Sequence, residues 1–112
     1  MSKSWEPYAH HVLECIDKIQ RIQSRGDITQ DDILYDAALR NLQTLSEATQ
    51  KLTEQKLDLC PDIPWKEISG FRNILVHNYL GNIDPVTVKA VIEQHLQPLG
   101  SCMEKLLEET GG

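Results

Sequence analysis

Apolar residues recur along this chain at intervals of three and four, the period that turns one face of an α-helix toward a core. Over residues 8–24 the stripe is Val12, Ile16, Ile19 and Gln23, widened by Leu13 and Ile22. The turn-forming stretch SRGD (24–27) ends it. Thr29-Gln30-Asp31-Asp32 resembles a capping box with Asp in place of Glu, and predicts a second helix over about 30–56. Its stripe is Leu34, Ala38, Leu42, Leu45, Ala48 and Leu52, and Ala37 and Ala38 permit close helix contact. LDLCPDIPWKE carries two prolines, which favour extended backbone before them. Pro64 suits the first position of a third helix, whose apolar face is Ile68, Phe71, Leu75 and Trp65. That helix is expected to end between Tyr79 and Gly81. Asp84-Pro85 reads as N-cap and first residue of a fourth. Pro98 is expected to break or kink it, leaving a short last helix over 99–109 with Leu99, Met103, Leu106 and Leu107. The expected fold is all-α, an up-and-down bundle of four or five helices forming one domain over 1–112.

Composition narrows the class. The 112 residues are 40% hydrophobic and 25% charged, ordinary values for a globular chain with one modest core. No apolar run reaches the roughly 20 residues a membrane span needs. MSKSWEPYAHH has no apolar stretch after its lysine, so no secretory signal is expected and the cytoplasm is the default. The net charge of −6 argues against charge-driven coating of nucleic acid, though not against a small local cationic site. The three cysteines, Cys15, Cys60 and Cys102, are widely spaced and read as buried reduced thiols.

The chemistry concentrates in FRNILVHNYLGNID (71–84), where Arg72, His77 and Tyr79 fall within eight residues. Arginine grips a phosphate through two parallel hydrogen bonds, and histidine exchanges protons near neutrality. Together they suffice to cleave RNA without a metal, using the ribose 2′-hydroxyl as nucleophile. DNA, lacking that group, would not serve. On one regular helix, five residues turn the chain by about 140°, so Arg72 and His77 do not share a face. Arg72 and Tyr79 do, as do Asn73 and His77. Either the helix unwinds near His77, or two copies line one cleft. Taken alone, these residues also fit a helix-end histidine, a surface arginine and a packed tyrosine.

RNILVHNY resembles the R-x-x-x-x-H-x-Y motif of the HepT-like toxins, a branch of the HEPN superfamily of small helical RNases. IPWKEISGFRNILVHNYLGNID is similar to the longer block around that motif, and DAALRNLQTLSEATQKL (36–52) to the second-helix block. There Ser46 stands where a glycine is usual before Glu47-Ala48. DPVTVKAVIEQHLQPL is similar to the closing helices with their proline break, so the likeness covers about 8–108. The resemblance implies a dimerising helical bundle that cleaves RNA without metal or other cofactor. It implies Arg72 and His77 as the catalytic pair and Asn73 as a supporting polar residue. It implies Tyr79 as the acceptor of AMP transferred from ATP by an MNT-type nucleotidyltransferase antitoxin, as a homodimer or a larger assembly with that antitoxin. The alternative is a non-catalytic helical subunit that binds substrate or partner for a nucleotidyltransferase.

Other residues carry weaker signals. His11 and Cys15, at i and i+4, offer two metal positions, which do not make a site. His10 and His11 read as surface residues, His95 as solvated or at a helix end, and Trp65 as core or interface packing. Asp31-Asp32 suits a helix N-terminus. Glu47 fits a buried hydrogen-bonding role or an interface.

Overall fold

The computed structural model describes residues 5–52, 60, 61, 63 and 83–111. Among these, all regular structure is α-helical: α1 is Glu6–Arg25, α2 Asp32–Thr49 and α3 Pro85–Gly111. The all-α expectation holds. The third helix expected after Pro64 lies outside the described residues, as does Trp65.

Three apolar stripes meet in one core. α1 contributes Ala9, Val12, Cys15, Ile16 and Ile19, and α2 contributes Ala38, Leu42, Leu45 and Ala48. α3 contributes Val88, Ile92, Leu96, Leu99, Met103 and Leu106. α1 packs along α2 and, over a shorter stretch, against α3. Cys60 and Ile63 join the same core from the segment between α2 and α3. Ser46 is buried, and its hydroxyl donates to the Leu42 carbonyl at 2.8 Å. The Thr49 hydroxyl likewise donates to the Ser46 carbonyl at 2.7 Å. Both buried hydroxyls are thus satisfied inside their own helix, as burial requires.

Pro98 does not break the chain. α3 runs unbroken from Pro85 to Gly111 with Pro98 inside it, so the separate helix expected over 99–109 is the second half of α3. The reason is register. Ile92, Leu96, Leu99, Met103 and Leu106 keep one helical stripe straight across the proline. An interior proline costs about 3 kcal/mol. Leu99, Met103 and Leu106 are each at most 1% exposed, and burying such side chains contributes roughly 1.5–3 kcal/mol apiece. Burial therefore outweighs the lost hydrogen bond. His95, expected near a helix end, is half-buried in mid-helix.

The helix starts also differ in part from expectation. α2 is capped by Asp31, not Thr29: its carboxylate accepts from the Ile33 and Leu34 N–H groups at 2.9 and 3.3 Å. Thr29 instead donates through its N–H and its hydroxyl to Asp27, at 2.9 and 2.8 Å. α2 closes at Thr49, with Gln50, Lys51 and Leu52 N–H groups each bonded three residues back. The helix expected to reach about residue 56 therefore stops short, with residues 50–52 already in a turn and bend, and residues 53–56 lie outside the described residues. Asp84-Pro85 behaves as expected, the Asp84 carboxylate accepting from the Val86 N–H at 3.0 Å.

The cysteines depart from three reduced thiols. Cys60 and Cys102 are joined in a disulfide across 42 positions, with their Cα atoms 6.1 Å apart. Cys15 remains a free, buried thiol, and burial raises its pKa. Spacing along the chain says nothing of such proximity in space.

Candidate active site

Arg72, Asn73, His77 and Tyr79 all lie outside the described residues. What the structure shows is how their segment is tied down on either side. Upstream, Cys60 is bonded to Cys102 on α3, and Ile63 is 7% exposed in the core. Downstream, Ile83 packs partly buried against the core, and its carbonyl accepts a hydrogen bond from the Tyr35 hydroxyl on α2. Asp84 then starts α3. Lys89, one turn on, reaches back 3.4 Å to Asp27 in the α1–α2 connection.

Two titrating groups respond to this setting. Burial raises the Tyr35 pKa above its ordinary value, reinforced by the Asp36 and Asp84 carboxylates. The Thr29 N–H holds the Asp27 carboxyl below its ordinary range, aided by the Thr29 hydroxyl and Lys89. Neither Tyr35 nor the Cys60–Cys102 pair stood out in the sequence as a candidate. For Tyr35 the only available signal is an aromatic on the edge of the α2 stripe.

Cys15 Sγ sits 3.9 Å from His11 Nε2, and His11 Nδ1 lies 3.8 Å from Glu14. Among the described residues no group of three or more His, Cys, Asp or Glu could hold a metal ion. His10 and His11 are exposed as expected. Glu47 is exposed on α2, which rules out a buried role within one chain. No helix among the described residues is long and apolar enough to cross a membrane.

A feature that only the assembled helices reveal is a groove of about 310 Å³ between α1 and α2. Lys18, Arg21 and Arg25 line it from α1, and Ile33, Leu34 and Asn41 from α2. The sequence trace was the i, i+3, i+7 spacing of three cations in an acidic chain.

The described helices pack on one core, and in the sequence the R-x-x-x-x-H-x-Y segment falls between α2 and α3. The family described as Ribonuclease HepT-like matches residues 12–106, and the chain belongs to it. "Putative RNase TTE0752" of Caldanaerobacter subterraneus subsp. tengcongensis is 37% identical over 82 residues, covering 70% of this chain and 73% of the relative. "Probable ribonuclease HepT" of Thermococcus cleftensis is 28% identical over 111 residues, covering 95% and 98%. "Putative RNase MJ1380" of Methanocaldococcus jannaschii is 34% identical over 92 residues, covering 78% and 82%. No solved structure matches.

Proposed function

We propose that this protein is a metal-independent endoribonuclease, the toxin of a toxin–antitoxin pair, working in the cytoplasm as a single helical domain that dimerises. The observation that carries the reading is the intact set Arg72, Asn73, His77 and Tyr79 inside a family match spanning 12–106. In the reaction, a ribose 2′-oxygen attacks the adjacent phosphorus and the bond to the 5′-oxygen breaks, leaving a 2′,3′-cyclic phosphate. His77 moves a proton, from the 2′-hydroxyl or to the leaving oxygen. Arg72 offsets the charge that gathers on the phosphorane through its paired N–H donors. Asn73, four residues before His77, would support it from the same face of a regular helix. Because Arg72 and His77 diverge by about 140° on a regular helix, a second copy completes the cleft.

Tyr79 is the control point. Its phenol, with an unperturbed pKa of about 10, is poorly suited to proton transfer at neutral pH. An MNT-type nucleotidyltransferase partner would join the phenolic oxygen to the α-phosphorus of ATP, with pyrophosphate leaving. The AMP so added carries a phosphodiester charge and a purine. Both would compete with RNA for Arg72, which a regular helix would place on the same face as Tyr79, seven residues on.

The test is co-expression with the nucleotidyltransferase, followed by mass spectrometry and a cleavage assay. Tyr79 carrying AMP in an inactive complex, and a Tyr79→Phe variant that cleaves RNA but resists silencing, are the expected results. An unmodified Tyr79 in a fully silenced complex would mean inhibition by occlusion, and the AMP-transfer step would fall.

A further inference from the structure

The cations of this acidic chain are not spread evenly. Lys18, Arg21 and Arg25 follow one another along a single stripe of α1, all exposed. They span about 10 Å of helix axis at 1.5 Å per residue, and they face α2 across the groove of about 310 Å³. The opposite side is largely aliphatic. Ile33 at its edge is 75% exposed, the most exposed large hydrophobic residue among those described. Arg21 pairs with Asp17 at 3.1 Å, both side chains 65% exposed. Among the described residues neither Lys18 nor Arg25 has an ion-pair partner.

We propose that this groove carries the backbone of single-stranded RNA, outside the motif residues. The inference rests on the ribonuclease reading and extends it to where the substrate lies. With a net charge of −6, most of the surface repels a polyanion, so an RNA-binding chain must hold its substrate where cations gather. The stripe is long enough for two or three backbone phosphates, and guanidinium forks match phosphate geometry. Asp17 does not block this. An exposed ion pair contributes little, and a phosphate can take its place on Arg21. The aliphatic side, Ile33 and Leu34, gives ribose and base faces an apolar surface without a base-reading pattern. Bases are free to use it only in single strands, because a duplex keeps them stacked inside. The geometry therefore assigns sequence-tolerant, salt-sensitive binding of unpaired RNA to α1 and α2.

The experiment measures binding of a fluorescein-labelled oligouridylate by anisotropy, using the full chain with His77→Ala to prevent cleavage. Lys18→Glu/Arg25→Glu is compared with Lys51→Glu/Lys105→Glu, which changes the net charge equally at exposed positions elsewhere. The groove variant is expected to bind at least about tenfold more weakly than the control variant. Its plot of log affinity against log salt should flatten by about 1.4, the loss of two neutralised phosphates on a single strand. Lys18→Gln/Arg25→Gln should flatten it equally without added repulsion, and helical circular dichroism checks that both remain folded. Equal weakening of groove and control variants, or an unchanged salt slope, would overturn the proposal. So would normal RNA binding combined with lost binding of the nucleotidyltransferase, which would make the groove a dock for an acidic protein segment. If the parent chain cleaves RNA while the groove variant binds it normally, only the groove assignment fails. If the parent chain neither binds nor cleaves RNA, the ribonuclease reading fails with it.

Discussion

Replacing Pro98 with alanine should stabilise the protein. Pro98 is an exposed residue in the interior of α3. It has no N–H for the carbonyl of Gln94, and its ring crowds that carbonyl; together these cost about 3 kcal/mol in a helix interior. Alanine restores the donor and leaves no cavity, because the proline ring is not part of the core. Against this gain stands the greater freedom of the unfolded chain once the proline is gone, about 0.4–1 kcal/mol. The difference is a net gain of about 2 kcal/mol. For a chain of this size each kcal/mol moves the melting temperature by roughly 4–8 °C, so a rise of about 8–16 °C is expected. Urea unfolding followed by circular dichroism at 222 nm should show a higher midpoint with an unchanged slope. A variant no more stable than the parent would refute the reasoning. It would mean that α3 is not continuous through residue 98 in solution, and that the stripe of Ile92, Leu96, Leu99, Met103 and Leu106 is not held in one register.

Asp31→Ala should cost about 1 kcal/mol in urea unfolding, because it removes the cap on the Ile33 and Leu34 N–H groups. Thr29→Ala, at the position first expected to cap α2, should not act on those two N–H groups. Tyr35→Phe should cost about 1 kcal/mol through the lost bond to the Ile83 carbonyl. Tyr35 titrates above its unfolded value because burial disfavours the phenolate. Its contribution is therefore complete below about pH 10 and is lost as pH rises through the higher folded value. The parent should lose stability in that alkaline range more steeply than Tyr35→Phe, as thermal melts at successive pH values would show. Thiol labelling of the denatured chain should count one reactive cysteine without reductant and three after reduction, as expected from the Cys60–Cys102 bond and free Cys15.

Periodicity made much of this fold legible. The stripes of α1 and α2 are buried nearly residue for residue, and Asp84-Pro85 marked the start of α3 because cap and proline act locally. Pro98 is a misleading signal because its local preference is outweighed by the register of apolar residues on both sides, which continues without a slip from Ile92 to Leu106. The cap of α2 was displaced for a similar reason. Asp27 engages Thr29 in its own turn and leaves Asp31 nearest the free N–H groups. Contacts between distant segments left no local trace. The Cys60–Cys102 bond spans 42 positions, and Tyr35 meets a backbone carbonyl 48 residues away. The groove depends on how α1 lies beside α2, which no single stripe reveals. The candidate motif is the reverse case. Its residues were plain in the sequence, while their mutual geometry lies outside the described residues.

The central claim is that Arg72 and His77 cleave RNA without a metal. The most direct measurement is cleavage of a purified single-stranded RNA by the chain alone in excess EDTA, with the product ends identified by mass spectrometry. The account predicts undiminished cleavage leaving a 2′,3′-cyclic phosphate, and a loss of about 10²–10⁴-fold in a folded His77→Ala variant. Cleavage abolished by EDTA and restored by magnesium, or a folded His77→Ala variant with full activity, would contradict it.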